Sequence, residues 1–136
     1  MQVVTPRFGA LDIDENSLIN FPQGLPGFER CQRFKLLHEE VPEPKVMWMQ
    51  SLEEPEVVFS VIDANLLGLH YQLSLTDAES ATIDFSGSED LVLLLTLSRD
   101  GDEVKANTQS PIVLNVASRQ ALQKSGVRAE IVFTNE

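Results

Sequence analysis

Apolar residues in this chain recur at every second position, and that period restricts it to a fold built from strands. Leu69, Tyr71, Leu73 and Leu75 fall on one side of an extended segment, with His70, Gln72 and Ser74 on the other. Val127, Ala129, Ile131 and Phe133 alternate with Arg128 and Glu130, although Val132 is apolar on the second face. Elsewhere both faces are apolar: Val57, Phe59 and Val61 oppose Val58, Ser60 and Ile62, and residues 91–97 are apolar nearly throughout. Strands of that kind run through a core and are covered on both sides. Segments 45–51 and 112–116 also read as strands.

Turn signals separate these segments. Asp100-Gly101 divides the apolar strand 91–98 from 103–107, as a hairpin requires. Pro22, Gly24, Pro26 and Gly27 punctuate the first third, and Glu43-Pro44 the next. Helices have little room. The sequence predicts one over residues 77–83, with Thr76 as N-cap, and another over residues 119–124, capped by Ser118 and ended by Gly126. Short strands, frequent turns and one or two short helices predict an all-β fold, a compact antiparallel β-barrel. Residues 1–136 are expected to form a single domain, because the length suits one core and no linker, repeat or low-complexity segment divides it.

Charge narrows the partners. The 136 residues carry 21 Asp+Glu against 10 Lys+Arg, a formal net charge of −11. A hydrophobic content of 43% is too high for a disordered acidic tail. The acids are spread evenly: residues 1–68 hold 11 acids and 5 bases, and residues 69–136 hold 10 and 5. A nucleic acid would have to approach against the protein's own field, so direct nucleic-acid binding is not expected; the excess of acid reads as suited to a basic partner or simply to solubility. The densest apolar run, 91–95, is too short to span a bilayer, so no membrane role is expected. The N-terminal segment lacks the basic and apolar stretches of a signal peptide, and Cys31 is the only cysteine. These features predict a cytoplasmic protein without a disulfide.

Catalytic patterns are weak. Asp12, Asp14 and Asn16 alternate like the first ligands of a calcium loop, but Ser17 stands where the turn needs Gly and Gln23 where a bidentate Glu is required. A solvated turn is expected instead. His38 and His70 have no partner at metal-ligand spacing, and His70 falls on the polar face of its strand. No Gly-x-Ser-x-Gly elbow is present, and Cys31 lies between Arg30 and Gln32 without a paired histidine in view. Gly24 and Gly27 are not followed by the Lys-Ser/Thr of a phosphate cradle. Met47-Trp48-Met49 reads either as core or as a patch adaptable to a partner. No catalytic residue, cofactor or metal is expected, and the chain does not read as an enzyme.

One segment is distinctive. Phe21, Pro22, Gly24, Leu25, Pro26, Gly27, Phe28 and Glu29 belong to a nine-residue stretch in which prolines fix φ, glycines admit conformations other residues avoid, and phenylalanines frame the whole. It is either a corner closing a barrel end or an ordered surface loop offered to a partner. The stretch closely resembles the signature of the flagellar assembly factor family, FliW. The resemblance continues through Phe34-Lys-Leu-Leu37, Met49-Gln-Ser51 with Pro55, and Phe59-Ser-Val-Ile-Asp63. It returns at Asn107-Thr-Gln-Ser-Pro-Ile-Val-Leu-Asn115, similar to the family's Asn-Leu-x-x-Pro-Ile-Val-Ile-Asn strand. Two departures stand out. Ala64 replaces the proline that usually follows the aspartate, and the chain after Arg119 leaves the family's glycine-glutamine pattern and stops sooner.

The resemblance implies an antiparallel β-barrel and a partner switch. Such a factor binds flagellin in the cytoplasm and, when free of it, binds the RNA-binding translational repressor CsrA (carbon storage regulator), relieving repression of flagellin synthesis. The free chain is expected to be a monomer. The binding surface is expected on the loop at residues 21–29 with Asn107, Pro111 and Asn115. An acidic secretion chaperone without a translational role is the alternative.

Overall fold

The computed structural model describes residues 1–42, 45–71, 73–126 and 129–131. The Glu43-Pro44 turn, Gln72, the His70 side chain and residues 127, 128, 132 and 133 of the predicted C-terminal strand lie outside them. Strands dominate, with 44% of the chain in strand and 11% in helix. In order they are β1 (Gln2–Thr5), β2 (Gly9–Asp12), β3 (Ile19–Asn20), β4 (Arg33–His38), β5 (Val46–Ser51), β6 (Val58–Asp63) and β7 (Leu69–Tyr71). The helix α1 (Asp77–Thr82) follows, then β8 (Leu91–Asp100), β9 (Glu103–Ala106), β10 (Ile112–Asn115), β11 (Gln120–Gln123) and β12 (Ala129–Ile131).

The eight-stranded sheet runs β10-β11-β3-β4-β5-β6-β8-β9, and β10 also pairs with β8, so the sheet closes into a ring. The long strand β8 permits this. Its first half pairs with β10 (Leu94↔Ile112) and its end with β9 (Arg99↔Val104), while β6 takes its other edge (Ile62↔Leu95). All these pairings are antiparallel. The expected barrel is therefore present as a ring that is not a regular barrel. Strand length varies from 2 to 10 residues, and β11 meets β3 in parallel through the single pair Gln120↔Asn20.

Inward residues fill the ring: Ile19, Phe21, Leu25, Phe34, Met49, Val61, Leu94, Ile112 and Ala121 form one buried cluster. The opposite faces are covered too, which explains the doubly apolar strands. Ile62 and Leu95 pack with Tyr71, and Val113 and Leu122 pack with Ile83 beyond the end of α1. The helix forms where predicted because Thr76 and Glu79 make a capping box. The Thr76 hydroxyl accepts from the Glu79 amide at 3.1 Å, and the Glu79 carboxylate accepts from the Thr76 amide at 2.8 Å. Lys124 Nζ reaches the same carboxylate at 2.7 Å and ties α1 to the end of β11.

Four sequence expectations change. The helix predicted over residues 119–124 is strand β11. Ser118 does not cap it; its hydroxyl donates to the Ile83 carbonyl at 2.7 Å. Arg119 takes a left-handed φ of 58° at the tip of the β10–β11 hairpin. Ala121 and Leu122 are both buried but on opposite faces of the sheet, a demand one short helical turn does not meet. Of the strand predicted over residues 69–75, Leu69–Tyr71 is β7 and residues 73–75 are not strand. The Met47-Trp48-Met49 trio divides: Met49 is fully buried, Met47 packs against the core, and Trp48 faces outward beneath Phe8, ring centroids 5.8 Å apart. Arg7 lies over the Trp48 ring at 5.5 Å. Asp14 is the cap of a short 3-10 turn, its carboxylate accepting from the Asn16 amide at 2.9 Å, which is the solvated turn expected there. Ala64 opens another such turn capped by Asp63, a position where proline is equally at home.

Candidate partner-binding site

The loop from Phe21 to Arg30 follows from where its backbone can bond. The Phe21 amide donates to the Gln32 carbonyl at 2.7 Å, Pro22 has no amide hydrogen, and the chain turns back with Gly24 N–H on Phe21 O at 2.9 Å. A second turn follows at once. Phe28 N–H donates to Leu25 O at 2.7 Å across Pro26 and Gly27, and Gly27 has the φ of 81° that the third place of a type II turn needs. Gly24, with φ 67°, is constrained twice, because a Cβ there would lie 2.6 Å from the Glu29 Cα and carbonyl oxygen.

Aromatic packing anchors the loop. Phe21 meets Phe34 edge-on at 5.3 Å, Phe34 lies 6.1 Å from Phe59, and Phe59 meets Phe28 edge-on at 5.1 Å. The series runs from a fully buried Phe21 to a Phe28 that is 38% exposed. Glu53 fixes the exit of the loop. One of its oxygens accepts from the amides of Gln32 and Arg33 at 2.8 and 2.7 Å, and the other pairs with the Arg33 guanidinium at 2.7 Å. Burial pushes the Glu53 carboxyl up, but these donors outweigh it and hold the group below its ordinary value. Cys31 is fully buried beside Glu54, with Sγ 3.5 Å from its carboxylate; burial pushes the thiol up, which makes it an inert core group.

The residues expected at the surface divide into presenters and supports. Pro22, Pro26, Gly27, Phe28 and Glu29 are exposed on the loop, whereas Phe21, Gly24 and Leu25 are buried beneath them. Asn107 is exposed at the end of β9, its amide bonded to the Thr96 carbonyl at 2.9 Å. Pro111 is buried, and its carbonyl accepts from the Lys124 amide at 3.0 Å. Asn115 is also fully buried. Its side-chain amide donates to the Ile83 and Asp84 carbonyls at 3.0 and 3.3 Å, and its oxygen accepts from the Ala117 amide at 3.1 Å. Asn115 thus pins the exit of α1 to the end of β10 and offers no atom to a partner. Of these three residues only Asn107 is exposed.

What the loop does adjoin is β11. A cleft of about 290 Å³ separates them, with Gln23, Leu25 and Glu29 on one wall and Ala121, Leu122 and Gln123 on the other. Sequence reading missed the β11 wall because it assigned that segment to a helix. Only its apolar pair Ala121-Leu122 marked it as structural. Among the described residues no group of three or more His, Cys, Asp or Glu could hold a metal ion, and no helix is long and apolar enough to cross a membrane.

The chain is similar to known proteins over nearly its whole length. The model of the FliW protein family matches residues 2–130. The flagellar assembly factor FliW of Chromobacterium violaceum is 36% identical, over 98% of this chain and 98% of that one. The protein of the same name from an Azoarcus species is 35% identical, over 91% and 90%. A crystal structure of the flagellar assembly factor FliW superposes with a TM-score of 0.78 at 30% identity, covering 92% of this chain and 88% of the other.

Proposed function

This chain belongs to the FliW family of non-enzymatic flagellar assembly factors, and on that premise we propose that it acts in the cytoplasm as a partner switch. It binds flagellin there. When flagellin is exported, the freed chain binds the repressor CsrA and relieves repression of flagellin translation. The observation that carries this reading is the match along nearly the whole chain to relatives that are themselves flagellar assembly factors. The exposed face of the loop at residues 21–29 supplies the interface. Its turns and aromatic anchors are set before binding, so little conformational entropy is lost on contact.

Charge supports the second half of the switch. A protein that binds RNA presents basic surface, and a chain of net charge −11 is drawn to it. Once bound, it brings negative charge near the RNA path and weakens RNA binding without filling the site. Neutralising exposed acids therefore lowers anti-repressor strength even where binding to CsrA survives.

The test is co-purification with flagellin and with CsrA, then competition between them, then titration of RNA into free and factor-bound CsrA at several salt concentrations. Retention of both partners and a salt-dependent loss of RNA affinity support the switch. Equal RNA affinity for free and bound CsrA removes the translational role and leaves an acidic chaperone for an exported subunit. Failure to bind either partner removes the assignment altogether.

A further inference from the structure

The seam at which the ring closes is incomplete, and the reason is chemical. β3 and β11 pair only at Asn20 and Gln120, because beyond Asn20 the neighbouring chain can no longer act as a strand partner. The Asn20 amide donates to Arg119 O on the β11 side, the next amide that side would use belongs to Pro22, which has none to give, and the turn closed at Gly24 carries the backbone away from β11. The two chains diverge, and the wedge between them is the cleft already described.

The orientation of β11 in this wedge follows from its other side. Lys124 N–H donates to Pro111 O, and Leu122 stands opposite Val113 in the β10 ladder. Strand alternation then turns the Gln123 amide and the Ala121 carbonyl away from β10 and toward the cleft. An open strand edge recessed between walls is a template for an added strand. The walls say which strand fits. Leu25 and Leu122, both largely buried, line the cleft with apolar groups, and Glu29, on the rim of a protein of net charge −11, favours a cation. Gly24, held against the Glu29 backbone, keeps the far wall fixed.

We infer that this cleft binds a short extended peptide segment, apolar on one face and basic on the other, which pairs with the open edge of β11 at Ala121 and Gln123. This deepens the proposed function, since it rests on the 21–29 loop being a partner surface and adds the conformation and charge of what is recognised there. An ordinary surface contact would depend on side chains alone. Strand addition depends on the peptide backbone as well.

The experiment titrates the full chain, isotope-labelled for NMR, with three blocked heptapeptides: one alternating Val and Lys, one alternating Val and Glu, and the Val/Lys peptide N-methylated at its central residues. The Val/Lys peptide is expected to shift the Ala121 and Gln123 amides and slow hydrogen exchange at Gln123. The Val/Glu peptide should bind roughly tenfold more weakly, and the N-methylated one should lose binding because it cannot donate to the edge. Glu29→Gln and Gln23→Lys should each weaken the Val/Lys peptide about threefold at low salt, with the difference fading at high salt. Undiminished binding of the N-methylated peptide, or shifts confined to other strands, overturns the proposal. Full-length flagellin provides the separation. If it binds the parent chain and both variants equally, the cleft is not its seat, and the proposal fails while the partner reading stands. If the peptide pairs with β11 but neither flagellin nor CsrA binds, the cleft proposal stands and the partner reading fails.

Discussion

Replacing Gly24 by alanine asks whether the loop is as tightly determined as its geometry implies. The residue has φ 67°, where an L side chain costs roughly 1–2 kcal/mol. The new Cβ would also meet backbone: Glu29 Cα and O at 2.6 Å and Glu29 C at 2.8 Å. No rotamer change relieves such a contact, so a loop already held by Phe21, Leu25 and Glu53 has to move, at a cost of about 1–3 kcal/mol. Alanine stiffens the unfolded chain and returns about 0.4–1 kcal/mol. The expected net loss is about 2–4 kcal/mol, with a fall in Tm of about 10 °C for a chain of this size. Gly27 is the internal control. Its φ is 81°, but a Cβ there has nothing within 4 Å, so Gly27→Ala should cost about 1 kcal/mol from backbone strain alone. Urea unfolding followed by the single tryptophan, Trp48, measures both on one scale, with unchanged m-values expected. Equal destabilisation by the two substitutions would falsify the close-approach account of Gly24. A loss below about 1 kcal/mol at Gly24 would show that the Glu29 backbone yields freely.

Asn115→Ala should destabilise the fold by about 1–3 kcal/mol, since it removes the donor of the Asp84 carbonyl and the acceptor of the Ala117 amide, leaving the Ile83 carbonyl to Ser118 alone. Asn115→Asp should be worse, because it places a carboxylate against those carbonyls, and urea midpoints rank the two. Glu79 is held below its ordinary value of 4.5 by the Lys124 side chain and then by the Thr76 amide. A depressed folded pKa means that its contribution is fully present above the unfolded value and is lost as pH falls through the folded one. Glu79→Gln should therefore flatten the acid limb of stability as pH falls below the unfolded value of 4.5 in denaturation curves, and an unchanged slope would contradict that linkage. Cys31, buried and with its thiol pushed up, should react with a thiol reagent only as fast as the protein opens. Rapid labelling of folded protein at pH 8 would show that the loop above it is loose.

Much of the fold was legible in the chain. The doubly apolar pattern of 91–97 appears as β8 because that strand has the ring interior on one side and the Tyr71 and Ile83 clusters on the other. Thr76 and Glu79 announced α1 because capping is a local exchange of hydrogen bonds. The Asp100-Gly101 hairpin is local in the same way, with Gly101 at φ 61°. Residues 119–124 failed for the opposite reason. Their helical signals were local, but Ala121 and Leu122 answer to two separate cores, and strand geometry alone serves both. Among the candidate site residues, the turn chemistry of the 21–29 loop could be read directly, whereas the burial of Pro111 and Asn115 could not.

The sequence by itself determined that this chain is built of strands, that its loop at residues 21–29 is a rigid turn, and that it resembles the FliW family, because alternation, proline, glycine and motif order are properties of neighbouring residues. Only the tertiary structure decided which loop residues are exposed and that β11 borders them, with no strand paired to Ala121 and Gln123 on that side among the described residues. That cleft depends on Asn20 and Gln120 meeting at one point and their chains parting beyond it, about 100 residues apart in sequence. A juxtaposition over such a distance follows from closure of the ring, and no local pattern encodes it.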